Sequence, residues 1–286
     1  MFESGVAPIF AVRAETPESS AMTPCTITDH YEGRAGQAAW KGCSIADDPD
    51  FRAFLRGPVR DRLRDAEEAE SFAAEIAGLA GTGLGVETVE AVLSAEPKDQ
   101  QPWEVGEALA EALLEEYRGV IWPWNKERDK LTPKASLPGA DLVGFVSLGG
   151  TDAALAIGEV KTSGDAEKPP GVMSGRSGMA HQLQRFEDDP ELQGTILKWL
   201  RARCKGTDLW PQYKSAVARF MNSGAHDFVL FGLLMRDTEP HSLDLKARGK
   251  TLGEKAKAPT SYEFTAWHLP CPIDQWPGLT KDEDDA

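Results

Sequence analysis

With 286 residues, 41% of them hydrophobic and 27% charged, the chain can bury a substantial core in one or two domains and has the composition of a soluble globular protein. No run approaches the roughly 18 apolar residues of a membrane helix, and the start, MFESGVAPIFAVRAE, has an acid where an export signal wants Lys or Arg and a short apolar stretch broken by Pro8. A formal charge of −15 weighs against free, tight binding to phosphates.

That charge is unevenly spread. Residues 1–100 hold 18 acids and 9 bases, whereas residues 163–260 hold 12 acids and 15 bases. A nucleic-acid path is therefore expected over the C-terminal half, or completed by a basic partner. Cys25, Cys43, Cys204 and Cys271 form no closely spaced pair and no Cys/His cluster, which excludes a zinc ribbon and fits reduced, structural thiols in a cytoplasmic protein.

Residues 1–50 are rich in Gly, Pro, Ser and Asp, and read as irregular structure with short strands near APIFAVRA and PCTITDHYEG. Phe51, Phe54, Leu55 and Val59 then recur at helical spacing, interrupted by Gly57-Pro58; Phe72, Ile76 and Leu79 repeat the pattern, and VETVEAVLSA adds a short helix. The polar segment EPKDQQP marks a boundary. The expected division is an acidic, irregular then helical N-terminal region (1–98), a core (99–275) and an acidic tail (276–286).

In the core, WEVGEALAEALLEEYRG predicts one helix closed by Gly119. GVIWPW is a short strand pushed to an edge by Pro123, and DLVGFVSL and AALAIGEVKT flank a Gly-Gly turn as a hairpin. After the loop 163–178 come helices at about 179–189, 191–205 and 209–223. DFVLFGLLMRD and YEFTAWHLP are the last strands, joined by a basic polar connection. This order predicts an α/β fold with a mixed central sheet flanked by helices, preceded by a mainly helical N-terminal region.

The residues that carry chemistry lie in the hairpin. Alternation along a strand projects Glu159 and Lys161 to one face and Val160 to the other. With the turn at Gly150-Thr151, residue n pairs with about 301 − n, so Asp141 falls opposite residues 159 to 161 within one position. Two carboxylates are hard oxygen ligands suited to Mg²⁺ or Mn²⁺, and a neighbouring lysine can orient water or offset charge developing on phosphorus. A Glu-x-Lys pair alone is usually an exposed ion pair worth under about 1 kcal/mol. The combination with Asp141 on an apolar hairpin is what points to a site.

The run Pro138-Gly139-Ala140-Asp141, followed after eighteen residues by Glu159-Val160-Lys161, resembles the PD-(D/E)xK nuclease superfamily over about residues 103–270. Here Gly139-Ala140 separates the proline from the aspartate. The resemblance implies a restriction-endonuclease-like core and metal-dependent phosphodiester hydrolysis. It also implies a glutamate on the preceding helix that joins the metal site, and a following helix that approaches the substrate backbone. Within that group GEALAEALLEEY, LPGADLVGF and LAIGEVKTS resemble the nuclease subunit of Hachiman-type anti-phage systems, which implies a helicase partner and DNA as substrate.

Glu107 best matches the helix glutamate, with Glu104 and Glu116 as alternatives; Glu104, Glu107, Glu111 and Glu115 also form a stripe of the kind that is ordinarily a solvated face. On the following helix Gln182 or Gln184 would position water or phosphate, beside His181 and Arg185. The loop 163–178, with Lys168 and Arg176, reads equally as a flap or a connector. Lys198, Arg201, Arg203 and Lys205 offer phosphate contacts but more simply form a solvated face, and Trp122, Trp124, Trp199 and Trp210 more simply pack cores than stack bases. The competing functions are a non-catalytic, nuclease-like interaction subunit and a repair nuclease without an immune role.

Overall fold

A computed structural model describes residues 25–79, 81, 83–93, 100–130 and 139–281. Seven strands form one mixed sheet in the order β1 (Ile27–Ala35), β2 (Ala38–Ile45), β7 (Ser261–His268), β6 (Phe228–Arg236), β5 (Asp152–Thr162), β4 (Leu142–Gly149) and β3 (Val120–Ile121). The β2, β7, β6 and β5 strands run parallel; β1, β4 and β3 are antiparallel to their neighbours. The central strands are buried on both faces, as parallel strands covered by helices require.

One face carries α1 (Pro49–Phe54), α2 (Arg60–Arg64) and α5 (Pro102–Arg118); the other carries α6 (Met179–Asp188), α7 (Pro190–Cys204), α8 (Trp210–Asn222) and α9 (Lys246–Lys255). The expected mixed α/β sheet is therefore present, and the strand and helix order of the core is as read, with α9 added. Among the described residues no helix is long and apolar enough to cross a membrane.

The mainly helical N-terminal region is corrected. It begins with the β1–β2 hairpin, whose second strand pairs in parallel with β7 from Ala38↔Tyr262 to Ser44↔His268, and only then becomes helical. Residues 27–45 thus complete the same sheet as the core, so the division at 98/99 is not a division of the sheet. The segment near PCTITDHYEG is β1; APIFAVRA lies outside the described residues. Gly57-Pro58 does not interrupt the helix: a single π-helical turn over 55–59 joins α1 to α2, a bulge that accommodates the missing donor of Pro58. Then follow α3 (Ala66–Leu79), which buries no residue, and α4 (Gly83–Leu93).

The tail also differs. Trp276 opens the short α10 (Trp276–Leu279), is 1% exposed, and donates Nε1 to Cys271 O at 3.0 Å. An indole with its donor satisfied is core material, so the chain is packed through at least Thr280.

The expected basic connection between β6 and β7 is the helix α9, and its glycines explain how it packs. A Cβ on Gly253 would lie 2.1 Å from Ala35 O and 2.6 Å from the Ala38 Cβ, and one on Gly249 would lie 2.7 Å from Trp40. The hairpin turn, with Gly36 at φ +51°, sits directly on this helix, and Gln37 N donates to Gly253 O at 3.0 Å. Gly253→Ala should therefore destabilise by roughly 1–3 kcal/mol through overpacking, although alanine favours a helix by up to about 1 kcal/mol. A chemical-denaturation midpoint equal to or above wild type would contradict this packing.

Candidate active site

The β4–β5 hairpin turns at Gly150-Thr151 as expected, and along most of its length residue n pairs with 300 − n, within the one-residue range expected. Gly149 pairs with Asp152, while Leu142 pairs with Gly158 and Ser147 with Ala153, because an irregularity lies between Ser147 and Gly149. Asp141, one residue before β4, therefore reaches the segment beyond Gly158. Its Oδ2 accepts from Val160 N at 2.8 Å. Pro138 lies outside the described residues.

Strand parity holds for the other two members. Val160 joins the core beneath α5, while Leu155 and Ile157 belong to the core beneath α6–α9, the face shared by Glu159 and Lys161. Glu159 is 2% exposed, and Lys161 Nζ lies 2.5 Å from its Oε1. From α6, the Gln182 amide faces the Glu159 carboxyl, and with its nitrogen turned toward it, as the hydrogen bonding requires, it donates to both oxygens, at 2.6 Å to Oε2. Of the two glutamines considered, Gln182 is the one at the site; Gln184 donates to Asp188 at 3.3 Å and Arg185 pairs with Asp189.

Burial raises the Glu159 carboxyl, and the adjacent Asp141 charge raises it further, to about 8, against the lowering pull of Lys161. Protonation of Glu159 relieves its repulsion with Asp141, which a bound cation would offset more strongly.

Glu107 is placed differently. It rises from α5 on the opposite face and is engaged by Lys126, which also donates to the Asp141 carbonyl at 3.4 Å and lies 4.0 Å from Glu111. Burial pushes the carboxyls of both Glu107 and Glu111 up; Lys126, itself partly buried, is held charged above its ordinary range because the two glutamates outweigh its desolvation. Glu107 and Asp141 feel each other's charge, but no contact joins Glu107 to Glu159. Glu104 accepts from Gln101 N at 2.7 Å, capping its own helix, and lies near Lys130; Glu116 is exposed. The α5 acidic stripe is therefore not simply solvated: Arg62, Lys126 and Lys130 cover it.

Lys126 was not visible as a site residue in the sequence, because it lies in a polar stretch whose 3-10 turn (Lys126–Asp129) has no chemical signature. Gly106 has a related role: a Cβ there would meet Thr162 Oγ1 at 2.3 Å, so only glycine lets α5 approach the end of β5.

The remaining candidates are structural. Arg203 pairs with Asp129 at 2.7 Å and lies over Trp199 and Trp124, while Trp210 stacks on Tyr213. Trp122 donates to Glu111 O, and Lys198, Arg201 and Lys205 are exposed. The loop 163–178 is tied down: Asp165 accepts from Glu167 N and Gly171 N, and Ser174 accepts from Arg248 at 2.7 Å. The four cysteines are free and buried.

Among the described residues no three His, Cys, Asp or Glu side chains converge as a ligand cluster. The donor chemistry still fits Mg²⁺, which needs only one or two carboxylates and completes its shell with water and substrate phosphate. Asp141 and Glu159 would hold it. Such binding competes with protonation of Glu159, so its sign with pH is fixed. A carboxyl raised in the folded state contributes most below its ordinary value near 4.5, and that contribution is lost as pH rises through about 8. In chelator the melting temperature should therefore fall from about pH 6 to about pH 9 more steeply in wild type than in Glu159→Gln, and Mg²⁺ should raise it at the higher pH only. An equal Mg²⁺ shift at both pH values, or one retained by the variant, would count against the assignment.

The chain matches no protein-family profile, no curated protein and no solved structure.

Proposed function

We propose that this chain is a metal-dependent nuclease of the PD-(D/E)xK type, hydrolysing phosphodiester bonds in DNA. The supporting observation is the convergence of Asp141, Glu159 and Lys161 at one end of the hairpin, with Gln182 added from the next helix. Mg²⁺ or Mn²⁺, held by Asp141 and Glu159, would polarise the phosphodiester and acidify a bound water. Lys161, at the partly open rim beside Glu159, would hold the attacking water or stabilise charge on phosphorus. Gln182 fixes the Glu159 rotamer, the kind of support that keeps a ligand oriented. Lys126 neutralises the Glu107–Glu111 pair, so Glu107 acts through charge on Asp141 and not as a ligand of the same ion.

The setting follows from charge and from the motif resemblance. A protein of formal charge −15 gains little from diffuse attraction to DNA, which fits an effector subunit brought to its substrate by a helicase partner in a cytoplasmic anti-phage complex.

The direct test is cleavage of labelled single-stranded, duplex and supercoiled DNA, and of RNA, in Mg²⁺, Mn²⁺ or chelator. Cation-dependent cleavage that Lys161→Ala abolishes is the expected result. Cleavage that persists in chelator, or that Lys161→Ala leaves unchanged, sinks the nuclease reading.

A further inference from the structure

Beside the site, α6 and α9 enclose a cleft of about 220 Å³ lined by Ser174, His181, Gln184, Arg248, Thr251 and Lys255. Its charged side chains are Arg248 and Lys255. Arg248 spans the cleft to Ser174, and the exposed side chains of His181 and Lys255 border it from opposite helices. Gln184 already donates to Asp188, so its amide is anchored. The opening end of α6, which has no side-chain cap, adds a partial positive charge nearby.

The surrounding charge is unusual for this molecule. Residues 246–257 carry Lys246, Arg248, Lys250, Lys255 and Lys257 against a single acid, Glu254, in a chain of net charge −15. Glu254 lies 3.9 Å from Lys250, so its charge is partly offset. A basic cleft in an acidic protein is a site for an anion. Its position bears on which anion: His181 and Gln184 leave α6 on the flank turned away from Gln182, which touches Glu159, so the exposed face of α6 lies between cleft and carboxylates. At 1.5 Å of rise per residue, cleft and carboxylates are within about one helical turn of each other along α6.

We propose that the α6–α9 cleft seats a backbone phosphate of the nucleic-acid strand that crosses α6 to reach Glu159 and Lys161. This rests on the nuclease reading. It supplies a sequence-independent contact that positions the strand without reading bases, and it places the path on the C-terminal part of the chain where bases outnumber acids.

The experiment measures binding of a fluorescein-labelled DNA oligonucleotide, single-stranded and duplex, to the full chain in chelator across a salt series. Arg248→Gln/Lys255→Gln should weaken binding by roughly tenfold or more and lower the slope of log K against log salt by about 1 to 2. Lys198→Gln/Lys205→Gln removes the same charge from α7 and should change binding far less. Equal weakening by both pairs, unchanged binding in the α9 pair, or wild-type binding weaker than about 100 µM overturns the proposal. Lys161→Ala keeps the nuclease reading separate. Binding through the cleft with no cleavage by wild type would refute only the reaction, and cleavage with cleft-independent binding would refute only the cleft.

Discussion

Glu159→Gln is expected to lower cation-dependent cleavage by about 10³-fold or more while the protein stays folded. The argument is electrostatic. Glu159 is almost wholly buried, and burial together with the adjacent Asp141 charge raises its carboxyl to about 8. Glutamine keeps the shape and can still meet Lys161 and Gln182, but it cannot supply the anionic oxygen that a hard divalent cation requires. Stability should move the other way. Removing a carboxyl that is costly to ionise in the folded state should leave the variant equal to or more stable than wild type in chelator above about pH 8. Gln182→Ala should show a smaller loss, about 10- to 100-fold, because it orients a ligand without being one. Single-turnover cleavage alongside melting curves checks all of this. Near-wild-type cleavage by Glu159→Gln would remove Glu159 from the site, whereas a collapsed fold would show that its burial is structural.

The legible and illegible parts of this molecule divide along a physical line. The hairpin could be read because alternation and a Gly-Gly turn are local, and parity alone fixes Glu159 and Lys161 on one face. The register of Asp141 could be fixed only to within one residue, because the irregularity between Ser147 and Gly149 leaves no mark in the hydrophobic pattern. The acidic stripe of α5 looked solvated because its partners, Arg62 and Lys126, come from segments distant in sequence or irregular in structure. The basic helix α9 was hidden by Gly249 and Gly253, which weaken helix propensity where the fold needs the closest approach to Trp40 and Ala35. The N-terminal hairpin was underestimated for a similar reason: its role as two strands of the sheet depends on parallel pairing with β7, more than 200 residues later.

Asp244→Ala should cost about 3–5 kcal/mol of stability, the largest loss expected from a single truncation away from the carboxylate site. Arg236, at the end of β6, is 0% exposed, and its Nη1 donates to Asp244 Oδ1 at 2.9 Å; its Nη2 donates to the Asp165 carbonyl. His268, packed beside the pair, carries no negative charge that could replace Asp244. Burial and the Arg236 charge lower it to about 4, so it is neutral near pH 7 and donates Nδ1 to the Thr238 carbonyl. Truncating Asp244 therefore leaves a guanidinium in the core with one carbonyl for company. Removing both charges, as Arg236→Met/Asp244→Leu, should recover much of the loss, because a buried ion pair is costly to desolvate and apolar groups can replace it. The effect should also reach the candidate site. Arg236 anchors the loop that leaves β5 just after Lys161, and Ser163 N donates to Met235 O at 3.0 Å in the same junction. Urea midpoints with unchanged m-values would give the energies, and faster amide exchange at residues 163–166 in Asp244→Ala would show the loosened junction. A loss under about 1 kcal/mol in the single variant, or a double variant no better than the single, would mean that the fold does not rely on this pair.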